Sequence, residues 1–236
     1  ERLFLENNSI SDVTPLSNLT SLEWLFLNNN SISNLTGLEF ATNLTVLDLG
    51  GTYVGGEWVN SNEISNLSPL SNLTSLERLF LENNSISDVT PLSNLTSLET
   101  LFLSSNNISD VTPLSNLTSL ETLFLSSNNI SDVTPLSNLT SLKWLGLGNN
   151  SISDLAPLVA NTGLGSGDEV DVSNNPLSAT SINTHIPALQ SRGVEVDFSA
   201  SKPAVKNKEL RMPLRMIEPL GLKKWKVGDK GRLNNF

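Results

Sequence analysis

The sequence contains no cysteine and only one histidine, His185, among its 236 residues. Without cysteine the chain has no disulfide scaffold, no thiolate metal site and no cysteine nucleophile. A single histidine also disfavours zinc sites and histidine-based acid–base catalysis. No apolar run reaches the roughly 20 residues that a membrane-spanning helix needs. The chain starts at Glu1 with neither a methionine nor a signal peptide, so we expect a trimmed or partial chain.

Positive charge is scarce over most of the chain. Residues 1–198 hold 4 Lys/Arg against 21 Asp/Glu, a balance of −17, whereas residues 199–236 hold 10 against 3, a balance of +7. The acidic body argues against nucleic acid or an anionic membrane as the partner. The basic tail, 199–236, is a separate segment with three alternative interpretations. It is a flexible appendage attracted to the acidic body, a linker to another domain, or a basic contact for a partner.

What the sequence does contain is a 22-residue repeat. Residues 86–120 recur letter for letter as 108–142, which indicates tandem duplication. Self-similarity at this period is typical of a solenoid built from leucine-rich repeats. Successive units begin with these leucines: Leu3, Leu25, Leu47, Leu79, Leu101, Leu123 and Leu145.

The apolar pattern of one unit, residues 101–122, predicts its shape. Leu101 and Leu103 alternate with Phe102, which predicts a short strand with one buried face. The next apolar residues are spaced by three and point inward only if the chain coils back on itself. Thr112-Pro113 predicts a helix N-cap and first turn on the outer side. Stacked units would then pair their strands in parallel and merge their leucines into one core.

An asparagine recurs five residues after the first apolar residue of each strand, as in Asn106 and Asn128. An inward-turned asparagine would satisfy backbone groups at the bend after the strand, so we interpret this ladder as structural. The unit with extra residues has Thr52 at this position, and the ladder is expected to lapse there.

The motif NNISDVTPLSNLTSLETLFL resembles the 22-residue repeats of the internalin family of bacterial surface and secreted adhesion proteins. The resemblance covers about residues 1–160 and implies a right-handed solenoid, with parallel strands on its concave face and short 3₁₀ or α turns on its convex face. It also implies binding of partner proteins on the concave face. The family's N-terminal cap, immunoglobulin-like domain and wall anchor have no counterpart in this sequence. We expect about seven repeats in 1–160, a ten-residue insertion near 51–62, a divergent closing segment in 161–198 and the tail.

Aromatic residues recur at the solvent-side positions of the strands. The central positions are expected to be Phe4, Phe26, Asp48, Phe80, Phe102, Phe124, Gly146, Asp171 and Glu195. Because aromatic residues dominate binding hot spots, the candidate ligand-binding residues are Trp24, Phe26, Phe80, Phe102, Phe124 and Trp144. The alternative is a ladder of rings that stack on one another and stabilise the sheet, since parallel strands lie about 4.8 Å apart.

The insertion is the one interior place where the repeat is broken. Its glycine pairs, 50–51 and 55–56, allow sharp turns, and Tyr53 and Trp58 supply apolar bulk. Insertions in solenoids often lie on the binding face, so these two residues are further candidates. The alternative is that they fold over the neighbouring turns and cover a gap.

Two acidic series follow the same period. Asp88, Asp110 and Asp132 precede the Thr-Pro turns, and Glu77, Glu99 and Glu121 precede the strands. Stacked carboxylates suit Ca²⁺ or a glycosidase pair. Aspartate before Thr-Pro is also ordinary turn chemistry, and we interpret both series that way. The sequence therefore predicts no metal, no cofactor and no catalytic residue.

The leading hypothesis is a non-enzymatic binding module that engages a protein, or less favourably a glycan, through the concave aromatic face. Self-association of repeats end to end into filaments is the second hypothesis, because the first strand has no partner on one side. The third hypothesis is an intracellular leucine-rich scaffold or regulator. The resemblance implies an extracellular or cell-surface location, while the lack of cysteine also fits the cytoplasm.

Overall fold

The computed structural model describes residues 1–54, 57–59 and 61–199, and for 52–54 and 57–59 it describes the backbone alone. All but residue 199 of the predicted basic tail, 199–236, therefore lies outside the described residues. The strands are β1 Arg2–Phe4, β2 Trp24–Phe26, β3 Val46–Asp48, β4 Thr52–Val54, β5 Glu57–Val59, β6 Arg78–Phe80, β7 Thr100–Phe102, β8 Thr122–Phe124, β9 Trp144–Gly146, β10 Glu169–Asp171 and β11 Glu195–Asp197.

Nine of these strands form one parallel sheet, in the order β1-β2-β3-β6-β7-β8-β9-β10-β11. Neighbouring strands pair in the register that the 22-residue period predicts, so that Leu79 lies beside Leu101 and Leu101 beside Leu123. Each repeat contributes one strand. The prediction of a right-handed leucine-rich-repeat solenoid is confirmed.

The return path of each of the first seven repeats contains one short helix. Six are 3₁₀ helices, at Thr14–Leu16, Leu38–Phe40, Ser68–Leu70, Thr90–Leu92, Thr112–Leu114 and Thr134–Leu136, and the seventh is α1, Ala156–Ala160. Thr112 is the first residue of its helix and not the predicted N-cap. Its N–H donates instead to Asp110 Oδ1 at 2.8 Å, so the aspartate two residues earlier satisfies the free donor.

The core is a continuous column of leucine, isoleucine and valine side chains. Leu101, Leu103 and Leu114 have no exposed surface, and the same positions of the neighbouring repeats are equally buried. A 22-residue unit could not enclose these side chains alone, because each repeat covers only the face of the next one. Among the described residues, no helix combines the length and apolar character that crossing a bilayer requires.

The predicted asparagine ladder is present, and it does not lapse at the insertion. Asn128 Oδ1 accepts from Ile108 N at 2.9 Å, while its Nδ2 donates to the carbonyls of Leu103 and Leu125 at 3.0 Å. Asn62, which is 1% exposed, makes the equivalent bonds in the unit where Thr52 was expected to break the series. The expectation was wrong because the extra residues enter before the asparagine and leave it two residues ahead of Ile64, as in every other repeat.

The far end of the sheet is closed by a π-helical turn, Ser181–His185, followed by α2, Ile186–Ser191. Ser181 is fully buried; its Oγ donates to Ser153 O at 2.8 Å and accepts from Leu155 N at 3.1 Å. His185 Nδ1 lies 3.3 Å from Asp154 Oδ1. These contacts attach the closing segment to the last regular repeat.

The sheet register corrects one expectation about this end. Asp171 does continue the central position of the strands, because it pairs with Gly146. Glu195 pairs with Glu169, and the central position of β11 is Asp197. The last repeats are longer than 22 residues, so the spacing expected from the sequence placed the central position of β11 two residues too early.

Replacing Asn62 with alanine tests the ladder at its unexpected member. We expect Asn62→Ala to lower the free energy of unfolding by about 2–4 kcal/mol, as Asn128→Ala does, because each leaves two buried carbonyls without a donor. Urea denaturation followed by circular dichroism measures the change. The exposed Asn129 provides the control, with a change under about 0.5 kcal/mol for Asn129→Ala. An Asn62 variant as stable as this control would contradict the assignment.

Candidate binding surface on the concave face

The outer side of the nine strands forms the concave face, and its side chains stand in columns because every strand repeats the same register. The first column contains Trp24 and Trp144 at the first residue of their strands. The central column contains the phenylalanines at the third residue. A last column, two residues further on, contains Glu6, Asn28, Gly50, Glu82, Ser104 and Ser126. The glutamates that directly precede β1, β2, β6, β7 and β8 form the edge of this face.

The central column is a contact ladder of rings. Phe102 lies between Phe80, with ring centroids 5.1 Å apart in an edge-on arrangement, and Phe124, with centroids 4.6 Å apart. Phe4 and Phe26 form a separate stacked pair at 5.1 Å. Phe102 is 4% exposed and Phe80 is 8% exposed, whereas Phe4 is 48% exposed. The rings in the middle of the ladder therefore bury most of their surface against the protein itself.

The remaining candidates of this face keep accessible surface. Trp24, Phe26, Phe124 and Trp144 are each partly exposed. The guanidinium of Arg2 lies 3.5 Å from the centre of the Trp24 ring, in a cation–π arrangement. Aromatic surface is thus open near both ends of the regular repeats, and the central rings between them are covered.

Asp48 interrupts the ladder, pairing with Phe26 on one side and Phe80 on the other. Its Oδ1 accepts from Gly50 N at 3.0 Å. A methyl group placed on Gly50 would lie 2.6 Å from Glu82 Oε2 and 3.5 Å from Asp48 Oδ1. The two carboxylates therefore converge on the space that Gly50 leaves by having no side chain.

Burial governs the ionisation of this pair. The pKa of Asp48 is raised from 3.8 to about 7, because loss of hydration and, to a lesser extent, the charge of Glu6 outweigh the hydrogen bond from Gly50, which lowers it. Loss of hydration, followed by the charge of Asp48, raises the pKa of Glu82 well above its ordinary value. The sequence pattern did not single out Glu82, because its neighbour Asp48 lies 34 residues earlier in the chain.

The insertion is an antiparallel β-hairpin. β4 pairs with β5 so that Tyr53 lies opposite Trp58 and Val54 opposite Glu57. No strands were predicted for this stretch from the sequence. The signal for a hairpin was the alternation of Thr-Tyr-Val and Glu-Trp-Val around Gly-Gly, a favoured two-residue connection. The hairpin starts two residues after Gly50, so the half-buried carboxylates of Asp48 and Glu82 lie at its root.

The convex aspartates serve the turns. The pKa of Asp110 lies below its usual range because the hydroxyl of Thr112, and then its backbone N–H, donate hydrogen bonds to the carboxylate. The equivalent pairs in the neighbouring repeats, Thr90 with Asp88 and Thr134 with Asp132, behave in the same way. Asn34 accepts the same bond from Thr36 N at 3.0 Å. An uncharged residue performs this role equally well, which supports turn chemistry over metal binding. Over the described residues, no group of three or more metal-binding side chains comes together.

Comparisons with known proteins agree with this architecture. The family model for Leucine Rich repeats (2 copies) matches residues 96–138. The structure of internalin C2 from Listeria monocytogenes is 30% identical with a TM-score of 0.70, over 84% of this chain and 80% of that one. An internalin from the same organism, internalin F, is 27% identical with a TM-score of 0.51, over 86% and 68% of the two chains.

More distant relatives share the fold alone. A leucine-rich repeat protein from Leptospira interrogans is 24% identical with a TM-score of 0.70, over 84% of this chain and 54% of that one. None of the curated proteins compared with this sequence matches it.

Two phenylalanines at the same position of different repeats test the ring ladder. We expect Phe102→Ala to reduce the free energy of unfolding by about 2–4 kcal/mol, because it leaves a cavity between two rings. Phe4→Ala should cost less than about 1 kcal/mol, since nearly half of that side chain is already exposed. Denaturant titration measures both, and equal losses would show that the ladder adds nothing to stability.

The pH dependence of stability tests the buried carboxyl pair. Between about pH 4 and 7 the folded Asp48 keeps a proton that the unfolded chain releases, so this contribution is lost as the pH rises through about 7. Asp48→Asn removes this pH dependence. The free energy of unfolding of the variant minus that of the native chain should therefore increase by about 1–3 kcal/mol from pH 5 to pH 8.

The control for this experiment is Asp88→Asn. The pKa of Asp88 is lowered, so its contribution is lost only in more acidic solution and its effect should stay constant between pH 5 and 8. Urea unfolding at pH 5, 6.5 and 8 measures both variants. A constant difference for Asp48→Asn as well would rule out the raised pKa.

Proposed function

Because the chain belongs to the internalin-like family of leucine-rich repeat proteins, we propose that it is a non-enzymatic module that binds a protein partner through its concave face. Leucine-rich repeat proteins characteristically present such a face to other proteins, since an open parallel sheet offers a long surface that no other part of the fold covers. The partner would lie across the columns of side chains, in contact with several repeats at once.

The observation that carries the proposal is the partial exposure of large aromatic side chains on this face. Trp24, Phe26, Phe124 and Trp144 each leave ring surface accessible, on strands whose backbone is held rigidly by its neighbours. Tryptophan and tyrosine are enriched among residues that dominate binding energy, because a rigid ring buries much surface at little entropic cost. Phe80 and Phe102 contribute by fixing the surface between these anchors.

The hairpin is the local element that would distinguish this chain from a regular array of repeats. Its first strand begins four residues after Asp48, which stands at the break in the ladder between Phe26 and Phe80. We place Tyr53 and Trp58 at the margin of the binding surface, where an insertion adds contacts that the repeated units do not supply.

The proposed setting is extracellular or on a bacterial cell surface, with adhesion as the role. The internalins that this chain resembles support that setting. A solenoid without cysteine keeps its stability whether the medium is oxidising or reducing, so the fold suits such a location.

Single tryptophan variants test the proposal. The immobilised full chain is used to capture proteins from a cell-surface extract, the captured protein is identified by mass spectrometry, and its affinity is measured with purified components. We expect Trp24→Ala and Trp144→Ala each to raise Kd at least about tenfold, as the loss of a buried aromatic anchor does.

Phe40→Ala is the matched control. Phe40 is 55% exposed at the end of the 3₁₀ helix of the second repeat, on the convex side, and its replacement should change Kd less than about twofold. A partner whose affinity falls with Phe40→Ala and not with the tryptophan variants would place binding on the convex side and overturn the proposal.

A further inference from the structure

Charge is distributed unevenly over the concave face of the regular repeats. Five glutamates stand at its edge, each directly before a strand. They lie in two runs separated by Thr45: Glu1 and Glu23, then Glu77, Glu99 and Glu121. Three more carboxylates, those of Glu6, Asp48 and Glu82, stand in the inner columns. Arg2, Arg78 and Lys143 are the cations of this face. The electrostatic potential over the surface is therefore negative, which favours a basic partner and repels an acidic one.

Two of these three cations already have partners. The Arg2 guanidinium stacks on Trp24 at 3.5 Å, and Lys143 Nζ lies 2.9 Å from Glu121 Oε1. Within the described part of the chain, neither Asp48 nor Glu82 has a cation within ion-pair distance. Asp48 and Glu82 thus lose hydration on folding without gaining an opposite charge beside them.

Unpaired hydroxyl groups continue the column in which Glu82 stands. Ser104 and Ser126 are 7% and 6% exposed, and in the described residues their Oγ atoms have no hydrogen-bond partner. Ser104 lies beside Glu82 on the next repeat, because the backbone N–H of Asn83 donates to Ser104 O. A buried hydroxyl without a partner costs free energy that a donor from outside would recover. Carboxylates and hydroxyl oxygens together accept hydrogen bonds from an ammonium or guanidinium group.

We propose that the partner inserts a lysine or arginine side chain between Asp48, Glu82 and Ser104, and that this side chain belongs to a basic surface lying along the glutamate edge. The inference rests on the proposed function and adds the chemistry of the partner. The phenylalanines on either side of Asp48 provide apolar walls for the aliphatic part of such a side chain. Gly50 keeps the entrance open, since a methyl group there would displace the Glu82 carboxylate.

Binding of a cation at this pair would change its protonation. Because Asp48 is partly protonated at neutral pH, an incoming positive charge lowers its pKa and releases protons. On the strands next to Asp48 and in the loops that follow them, the other charged residues of the concave face are Arg2, Glu6 and Arg78, while Asp12, Asp88 and Asp110 stand on the convex side. Proton release on binding is a signature that surface charge attraction alone does not produce.

The experiment uses the full chain and a synthetic oligolysine of ten residues, with its fully acetylated form as the uncharged counterpart. Isothermal titration at pH 7 in two buffers of different ionisation enthalpy measures both Kd and the number of protons released. We expect oligolysine to bind with proton release and the acetylated peptide not to bind. The variant Asp48→Asn/Glu82→Gln should raise Kd about tenfold and abolish the release.

A variant with the same loss of charge on the other side of the molecule is the control. Asp88→Asn/Asp110→Asn keeps the turns intact, since asparagine already serves at this position in two other repeats, and should change Kd about twofold with the release unaltered. Gly50→Ala, which changes no charge, should weaken binding by disturbing the pair. Equal losses for the two double variants, or equal binding of the acetylated peptide, would overturn the inference.

The two proposals fail in different ways. If the captured protein loses affinity for the tryptophan variants and binds Asp48→Asn/Glu82→Gln unchanged, the concave face is the binding surface and the inserted cation is wrong. If the carboxyl variant alone loses affinity, the cation site stands and the aromatic anchors are wrong.

Discussion

The buried asparagine amide is the interaction on which the periodicity of this molecule depends. In Asn128, one oxygen accepts from a backbone N–H of the preceding repeat, and one nitrogen donates to carbonyls of both repeats. A single side chain thus satisfies backbone groups on either side of a repeat boundary. An amide displaced by one residue would leave these groups unpaired in an apolar core, at a cost that the sheet could not recover. The asparagine therefore stays two residues ahead of the next inward-facing isoleucine even where a repeat is longer than 22 residues, as at Asn62.

The same constraint explains how ten extra residues are accommodated. The N–H of Gly51 still donates to Glu82 O, and Asn62 resumes the ladder beyond the hairpin. The insertion therefore opens and closes between two fixed points of the repeat and leaves strand pairing undisturbed. Just before the hairpin, Gly50 leaves a space on the concave face that the carboxylates of Asp48 and Glu82 occupy.

Features that depend on position within a repeat could be predicted from the sequence. The strand register, the buried leucines and the ladder at Asn106 and Asn128 all follow from periodicity, because every repeat has the same neighbours above and below it. The aromatic candidates were placed on the correct face, and their exposure was not predictable. Phe4 and Phe102 occupy the same position, yet only Phe102 has a covering ring on each side. The convergence of Asp48 and Glu82 was also missed, since it arises where the repeat is interrupted and no period connects the two residues.

The letter-for-letter identity of 86–120 and 108–142 makes this surface adjustable in length. Because consecutive units meet through the same register, adding or deleting one 22-residue unit would leave every interface chemically unchanged. Each such event would move Trp24 and Trp144 apart or together by one strand spacing, about 4.8 Å. Gain or loss of whole units would therefore change the separation of the two proposed anchors in fixed steps. The length of the concave face can thus change by whole repeats while the fold stays the same.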